Sequence, residues 1–143
     1  MNRKTQNNNG QRGTAIVEAA IILLGFFVLL FGIMEAGRFL QTQQALTNAA
    51  REGARLAIAP LSGTDQLPSN AEIEARVNEF LEGSGVTAPV ITITPVSVNT
   101  GPVTTTFTRV RVESTYQVLT MTLFDMLEVT LRGEALMRNE TSD

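Results

Sequence analysis

Between Thr14 and Met34 the chain reads TAIVEAAIILLGFFVLLFGIM, with a single ionisable side chain, Glu18, near its leading edge. About twenty residues at 1.5 Å each make a helix about 30 Å long, the thickness of a bilayer's hydrocarbon. From Ala19 to Met34 the run is apolar on every side, whereas a core helix of a soluble protein usually keeps one polar face. A membrane span is the better reading. A cleaved secretory signal competes with it, since Arg3, Lys4 and Arg12 supply a basic leader. However, no small-x-small signature comes after the run before Glu35 and Arg38. The span is therefore expected to stay in the protein.

Three segments result: a basic leader over 1–13, a transmembrane helix over 14–36, and a domain over 37–143. The leader's cations have no acidic neighbour before Glu18, while the far side mixes Glu35, Arg38, Arg51 and Glu52. This asymmetry predicts a cytoplasmic N-terminus and an exported C-terminal domain. The chain has 143 residues, so the part beyond the span is long enough for one modest core.

The composition narrows the function. There is no cysteine and no histidine, which removes disulfides, thiolate chemistry and the usual Zn, Cu or Fe ligand sets. An enzyme would have to work without the side chain most used for proton transfer near neutral pH. Ser62 and Asp65 share a loop without a base, Glu72, Glu74, Glu79 and Glu82 fall on a helix surface, and no phosphate-cradling glycine loop is present. No catalytic role, no cofactor and no metal are expected. A net charge of -3, seven Phe, one Tyr and no Trp offer neither the basic patch nor the stacking platforms of a nucleic-acid binder.

Glu18 has two readings. A lone carboxylate in hydrocarbon costs about 2.5–3.5 kcal/mol on insertion scales, less near the interface, and one turn inside the span it can snorkel to the headgroups. Alternatively it gains a cationic partner by processing. A cut between Gly13 and Thr14 would create an α-amino group four residues away, and stacked chains could pair one chain's amine with the next chain's carboxylate. Gly13 has the flexibility and bare backbone that such a cut requires.

A basic leader ending in Gly, a Glu at the fifth position after it and then a hydrophobic helix resemble the class III signal of type IV pilins. More specifically, GTAIVEAAIILL and GIMEAGRFLQTQQALTNAAREGARLA, over residues 13 to about 59, resemble the TadE/TadG-like pseudopilins of the tight-adherence (Flp) pilus system. GEALMRNE at 133–140 is a looser match. The resemblance implies processing after Gly13 by a prepilin peptidase of the bacterial inner membrane, and partnership with other pilins and the Tad assembly machinery. The major Flp pilins carry Tyr after the Glu and are far shorter; here Ala19 follows and a large domain is appended. Both departures favour a minor pilin or pseudopilin. The alternative is an uncleaved single-pass module whose exported domain binds a partner.

Within the span, Gly25 and Gly32 are candidate helix-packing positions. Beyond it, residues 38–59 contain no proline, and Leu46, Ala49, Ala50, Gly53 and Ala57 recur at helical spacing as a stripe of small residues on which a sheet can lie. Arg51, Glu52 and Arg55 flank the stripe, either as an ion-pair anchor or as a solvated face. After the loop PLSGTDQLP, Ser69 and Glu72 form a capping box. Ile73, Val77, Phe80 and Leu81 then define an apolar helix face that ends at Gly83 and Gly85.

From Pro89 the period becomes two. VITITPVSV shifts phase across Pro95, which predicts a bulge or an edge strand, and NTGP turns the chain. Val110, Val112, Tyr116 and Val118 line a second strand, and Val129, Leu131, Ala135 and Met137 a third, with charges opposite. LTMTLFDML at 119–127 is apolar without strand period, and NET at 139–141 fits a glycosylation pattern of little weight here. The expected fold is α+β and pilin-like: a long N-terminal helix, a short second helix, and a three- to four-stranded antiparallel sheet.

Overall fold

The computed structural model describes residues 9–60, 66–101, 103–118 and 128–139, with side chains described from residue 13 and that of Val103 excepted. The basic leader's first eight residues, the loop core at 61–65, the apolar LTMTLFDML segment and most of the NET triplet lie outside the described residues. The chain divides into two compact units that part between Ala36 and Gly37.

Helix α1 runs unbroken over Asn9–Ile58 and belongs to both units. It contains no proline, and Pro60 lies just past its end, where the ring would remove a helical N–H. In the first unit, α1 carries the apolar run, long and hydrophobic enough to cross a membrane and with none of that window buried.

The second unit has its own core. Helix α2 covers Asn70–Leu81, and the sheet is formed by β1 (Val90–Thr100), β2 (Val103–Gln117) and β3 (Glu128–Arg138) in the order β1-β2-β3, antiparallel throughout. α2 starts on a complete capping box. The Ser69 hydroxyl accepts from the Glu72 backbone N–H, and the Glu72 carboxylate accepts from the Ser69 N–H at 2.8 Å. These bonds use donors that a helix start otherwise leaves unpaired. They also hold the Glu72 carboxyl below its ordinary range, the Ser69 backbone N–H contributing most. Gly83 and Gly85 come after the helix at φ +78° and +77°, values that L side chains adopt poorly.

Ile73, Val77 and Leu81 are buried. Phe80 departs from the sequence expectation: it is 44% exposed. At 100° per residue it falls about 60° from the centre of the 73-77-81 stripe, on the shoulder of the helix.

β1 is an edge strand, and its register with β2 runs unbroken from Val90 opposite Glu113 to Thr100 opposite Val103, so the bulge alternative does not occur. The Asn139 N–H donates to the Thr106 carbonyl. Even-numbered residues of β2 therefore bond to β3 and odd-numbered ones to β1. The odd residues of β1, Pro95 among them, turn their backbone groups to the open edge, where a missing N–H breaks no ladder bond. The phase shift has a different outcome: Val96 leaves the inner face and stands opposite Phe107 on the outer one.

The core is formed by Leu46, Ala49, Ala50, Ala54 and Ala57 of α1, the α2 stripe, Val110, Val112 and Tyr116 of β2, and Leu131 of β3. On the outer face, Glu134 receives two arginines. Arg111, directly opposite, donates from Nε and Nη2 at 3.1 and 3.0 Å, and Arg109 brings Nε to 3.1 Å without the alignment of a hydrogen bond.

Candidate functional site

The candidate site is α1, and its two stretches have opposite surroundings. From Ile16 to Met34 every large apolar side chain is 43–70% exposed. Carbon added at Gly13, Gly25 or Gly32 would meet nothing within 4 Å. Gly13 and Thr14 lie in continuous helix, and Glu18 is on the same exposed stretch; among the described side chains it has no cationic partner. Gly13, Thr14 and Glu18 are thus three positions on one uncovered helix, open to a protease, a lipid or another helix.

Past Gly37 the surroundings invert. A methyl on Gly53 would lie 2.6 Å from Val77 Cγ2 and 3.2 Å from Val110 Cγ1, so this glycine is where both α2 and β2 close on α1. Seven residues earlier, β3 closes on the same helix. A methyl on Gly133 would fall inside the van der Waals radii of the Leu46 carbonyl group and Thr47 N, and the Gln43 amide donates to the Arg132 carbonyl at 2.7 Å. The small-residue stripe thus admits helix and sheet on the same side. Sequence reasoning misses Gly133, although a glycine inside a strand signals close backbone approach.

Of the three flanking charges, Glu52 makes the ion pair, and its partner is Arg76 on α2. Arg76 Nη2 donates to Glu52 Oε1 at 3.0 Å and Nη1 to Glu79 Oε2 at 2.9 Å. Arg51 and Arg55 are exposed. One turn past the apolar run, the Arg38 guanidinium carbon stands 5.7 Å from the centre of the Tyr116 ring, and Phe39 meets that ring edge-on at 5.7 Å. Such contacts favour a cation over a π face. Among the described residues, no group of three or more acidic side chains is placed to hold a metal ion.

No curated protein and no solved structure gives a match to this chain. Residues 13–55, from the glycine ahead of the apolar run to the charged end of the packed helix, match the model of the TadE-like protein family.

Proposed function

We propose that the protein is a minor pilin or pseudopilin of a Tad (Flp) type pilus or a related secretion system, made as a membrane-held precursor and acting in assembly and surface adherence. The observation that carries the reading is the family match over 13–55 on a helix whose first stretch is apolar and uncovered. A prepilin peptidase removes residues 1–13, and Thr14 becomes the new N-terminus. The domain over 37–143 stands outside the inner membrane, and the helix over 14–36 stays in lipid until it joins neighbouring pilins.

The physics of that step comes from Glu18. An ionised carboxylate in hydrocarbon is costly unless paired. The α-amine of Thr14 is a cation made only by cleavage, and a neighbour displaced along the assembly axis presents its own carboxylate to it. Breaking such a pair once buried costs about 3–5 kcal/mol because it strands the remaining charge, so the pairing fixes register as well as attraction. Gly25 and Gly32 let a second backbone come close, which is what drives helix association in lipid.

The test is the N-terminus of the protein from its native host, read by intact mass or N-terminal sequencing. A chain beginning at Thr14 is expected, and Glu18→Gln should leave insertion and cleavage intact while reducing incorporation into pili. A mature chain that still begins at Met1 in cells with an active peptidase would overturn the proposal in favour of a permanently anchored binding module.

A further inference from the structure

At one end of the sheet's outer face, Val96 stands opposite Phe107, Val98 lies two residues along the same strand, and Leu136 is Phe107's diagonal neighbour on β3. Val98 and Leu136 are 46% and 49% exposed, and Val96 and Phe107 are half-buried. Arginines stand round this apolar patch. Arg138, opposite Phe107, is exposed and makes no ion pair among the described residues. Arg109 is opposite Leu136, and Arg111 is in the next row with Glu134. Glu113 and Arg132 face each other one row farther on. The patch thus has a surplus of two positive charges beside it, and an exposed apolar surface with a charged rim marks a docking site.

The other layer of the same unit carries the complement. α2 and the later stretch of α1 pack on the inner face of the sheet. Of α2's large apolar side chains, Ile73, Val77 and Leu81 are buried and Phe80 is exposed. Phe80 lies one turn beyond Arg76, which holds Glu79 and Glu52, and Glu72 lies one turn before it. This shoulder of the helical layer has three carboxylates about one guanidinium, a surplus of two negative charges. Arg51 and Arg55 do not offset it, since each is about 200° round α1 from Gly53, where α2 sits. We infer that the patch binds the Phe80 shoulder of a second copy of this chain.

Both parts of the fit favour this occupant. Phe80 supplies an aromatic anchor to a surface of aromatic and branched side chains, and buried aromatics carry much of the energy at interfaces. The two charge surpluses are equal and opposite, which steers the approach and disfavours patch against patch or shoulder against shoulder. The geometry then sets the form of the assembly. The shoulder belongs to the helical layer and the patch to the outer face of the sheet, so the contact is heterologous, and a second copy leaves its own patch open to a third. Copies stack in one direction instead of closing as a dimer. The inference deepens the pilus reading and rests on it for the use of such a stack; the contact itself needs no cleaved leader.

The chain has no cysteine, so cross-linking reports only on introduced thiols. Asn48 of α1 is exposed one turn before Glu52. The two helices run antiparallel, with Ala57 near Asn70 and Gly53 near Val77, which brings Asn48 beside Phe80. Thr94 is exposed on the outer face, opposite Arg109. The full-length protein in detergent, carrying Asn48→Cys and Thr94→Cys together, is treated with a short bismaleimide. A ladder of trimers and longer products is expected. Asn48→Cys with Thr130→Cys, whose outer-face site is about 20 Å from Leu136 along the strand, should give little of it. Phe80→Ala should cut the ladder about tenfold, as loss of an interface anchor does, and Arg138→Glu should cut it severalfold. Both side chains are exposed, so the unfolding temperature should stay at the wild-type value. Deleting residues 140–143, which lie outside the described residues, should leave the ladder unchanged. Dimers without longer products, equal ladders from the Thr94 and Thr130 pairs, loss of the ladder with residues 140–143, or no response to Phe80→Ala and Arg138→Glu would overturn the inference. A ladder from a chain that still begins at Met1 upholds the stacking while the cleavage proposal falls; a chain that begins at Thr14 and gives no ladder does the reverse.

Discussion

Gly32 and Gly53 sit on the same unbroken helix, three heptads apart, and could hardly be more differently placed. At Gly32 added carbon meets nothing within 4 Å; at Gly53 it meets a valine methyl at 2.6 Å. A glycine inside a helix loses about 0.8–1 kcal/mol relative to alanine, so each needs a compensating contact. At Gly53 that contact is made within the chain, by Val77 and Val110. At Gly32 nothing among the described residues makes it, and under the proposed function another helix in the membrane would. The helix is thus divided by its surroundings: the later stretch is completed by folding, and the proposed function has the earlier one completed by assembly.

Substitutions test that division, the largest effect first. Gly133→Val places carbon against the Leu46 carbonyl group and Thr47 N, backbone atoms that no rotamer change can move. Relief requires the sheet to lift off α1, and a loss of about 3 kcal/mol is expected from such overpacking. Gly53→Ala is milder. Its clash is with a valine methyl, and overpacking of about 1–3 kcal/mol is partly offset by the helix propensity gained, leaving about 1 kcal/mol. Gly32→Ala, by contrast, should leave the unfolding of residues 37–143 unchanged while reducing association of the span. Chemical denaturation of the full-length chain in detergent reads the first two, and pilus incorporation or cross-linking in membranes reads the third. Equal stability of Gly53→Ala and Gly32→Ala would erase the contrast.

The next effect probes a contact that neither stretch of α1 makes. Ser69→Ala removes the N-cap of α2 and should cost about 1 kcal/mol. Its partner brings a pH signature. The folded-state pKa of Glu72 is lowered, first by the Ser69 backbone N–H and then by the hydroxyl. A depressed carboxyl contributes stability above its unfolded value and loses it as the pH falls from the ordinary 4.5 through the lower folded value. The unfolding temperature of the wild type should therefore exceed that of Glu72→Gln near neutral pH and converge with it in acid. A gap between the two that stays constant down to about pH 3 would show the carboxylate's charge to be irrelevant to the cap.

What could be read in the sequence divides along the same line. The capping box, the alternation of Val110, Val112 and Tyr116, and the stripe of Leu46, Ala49, Ala50, Gly53 and Ala57 depend on periods of two and 3.6, which local sequence carries directly. Pro95 marks an edge strand because a missing N–H is tolerated at an open edge. Phe80 is misplaced by its periodicity because a stripe's shoulder and its centre look alike until the neighbouring elements are known. The partner of Glu52 is hidden for a stronger reason: Arg76 is 24 residues away, and nothing in either segment encodes the approach of α2 to α1. Gly13, Thr14 and Glu18 stand out for the opposite reason, since their signal is a linear spacing that needs no tertiary contact.

The smallest effect comes from that hidden pair. Arg76 reaches Glu52 across the two helices and Glu79 along its own, all at the surface, with Arg76 and Glu52 side chains 43% and 29% exposed. Exposed pairs of this kind contribute about 0.2–1 kcal/mol, because water already solvates both partners and two long side chains must be ordered to meet. Glu52→Gln should thus lower stability by about 0.5 kcal/mol, and the loss should shrink with added salt as the remaining charges are screened. Paired with Arg76→Gln in a double-mutant cycle, the coupling isolates the interhelical bond from the Arg76–Glu79 pair that survives in the Glu52 variant. A coupling of zero would mean that α2 is held on α1 by the apolar contact at Gly53 alone, with the charges as bystanders. A coupling near 1 kcal/mol would make Glu52 the one flanking charge that helps hold α2 on the packed stretch of the helix.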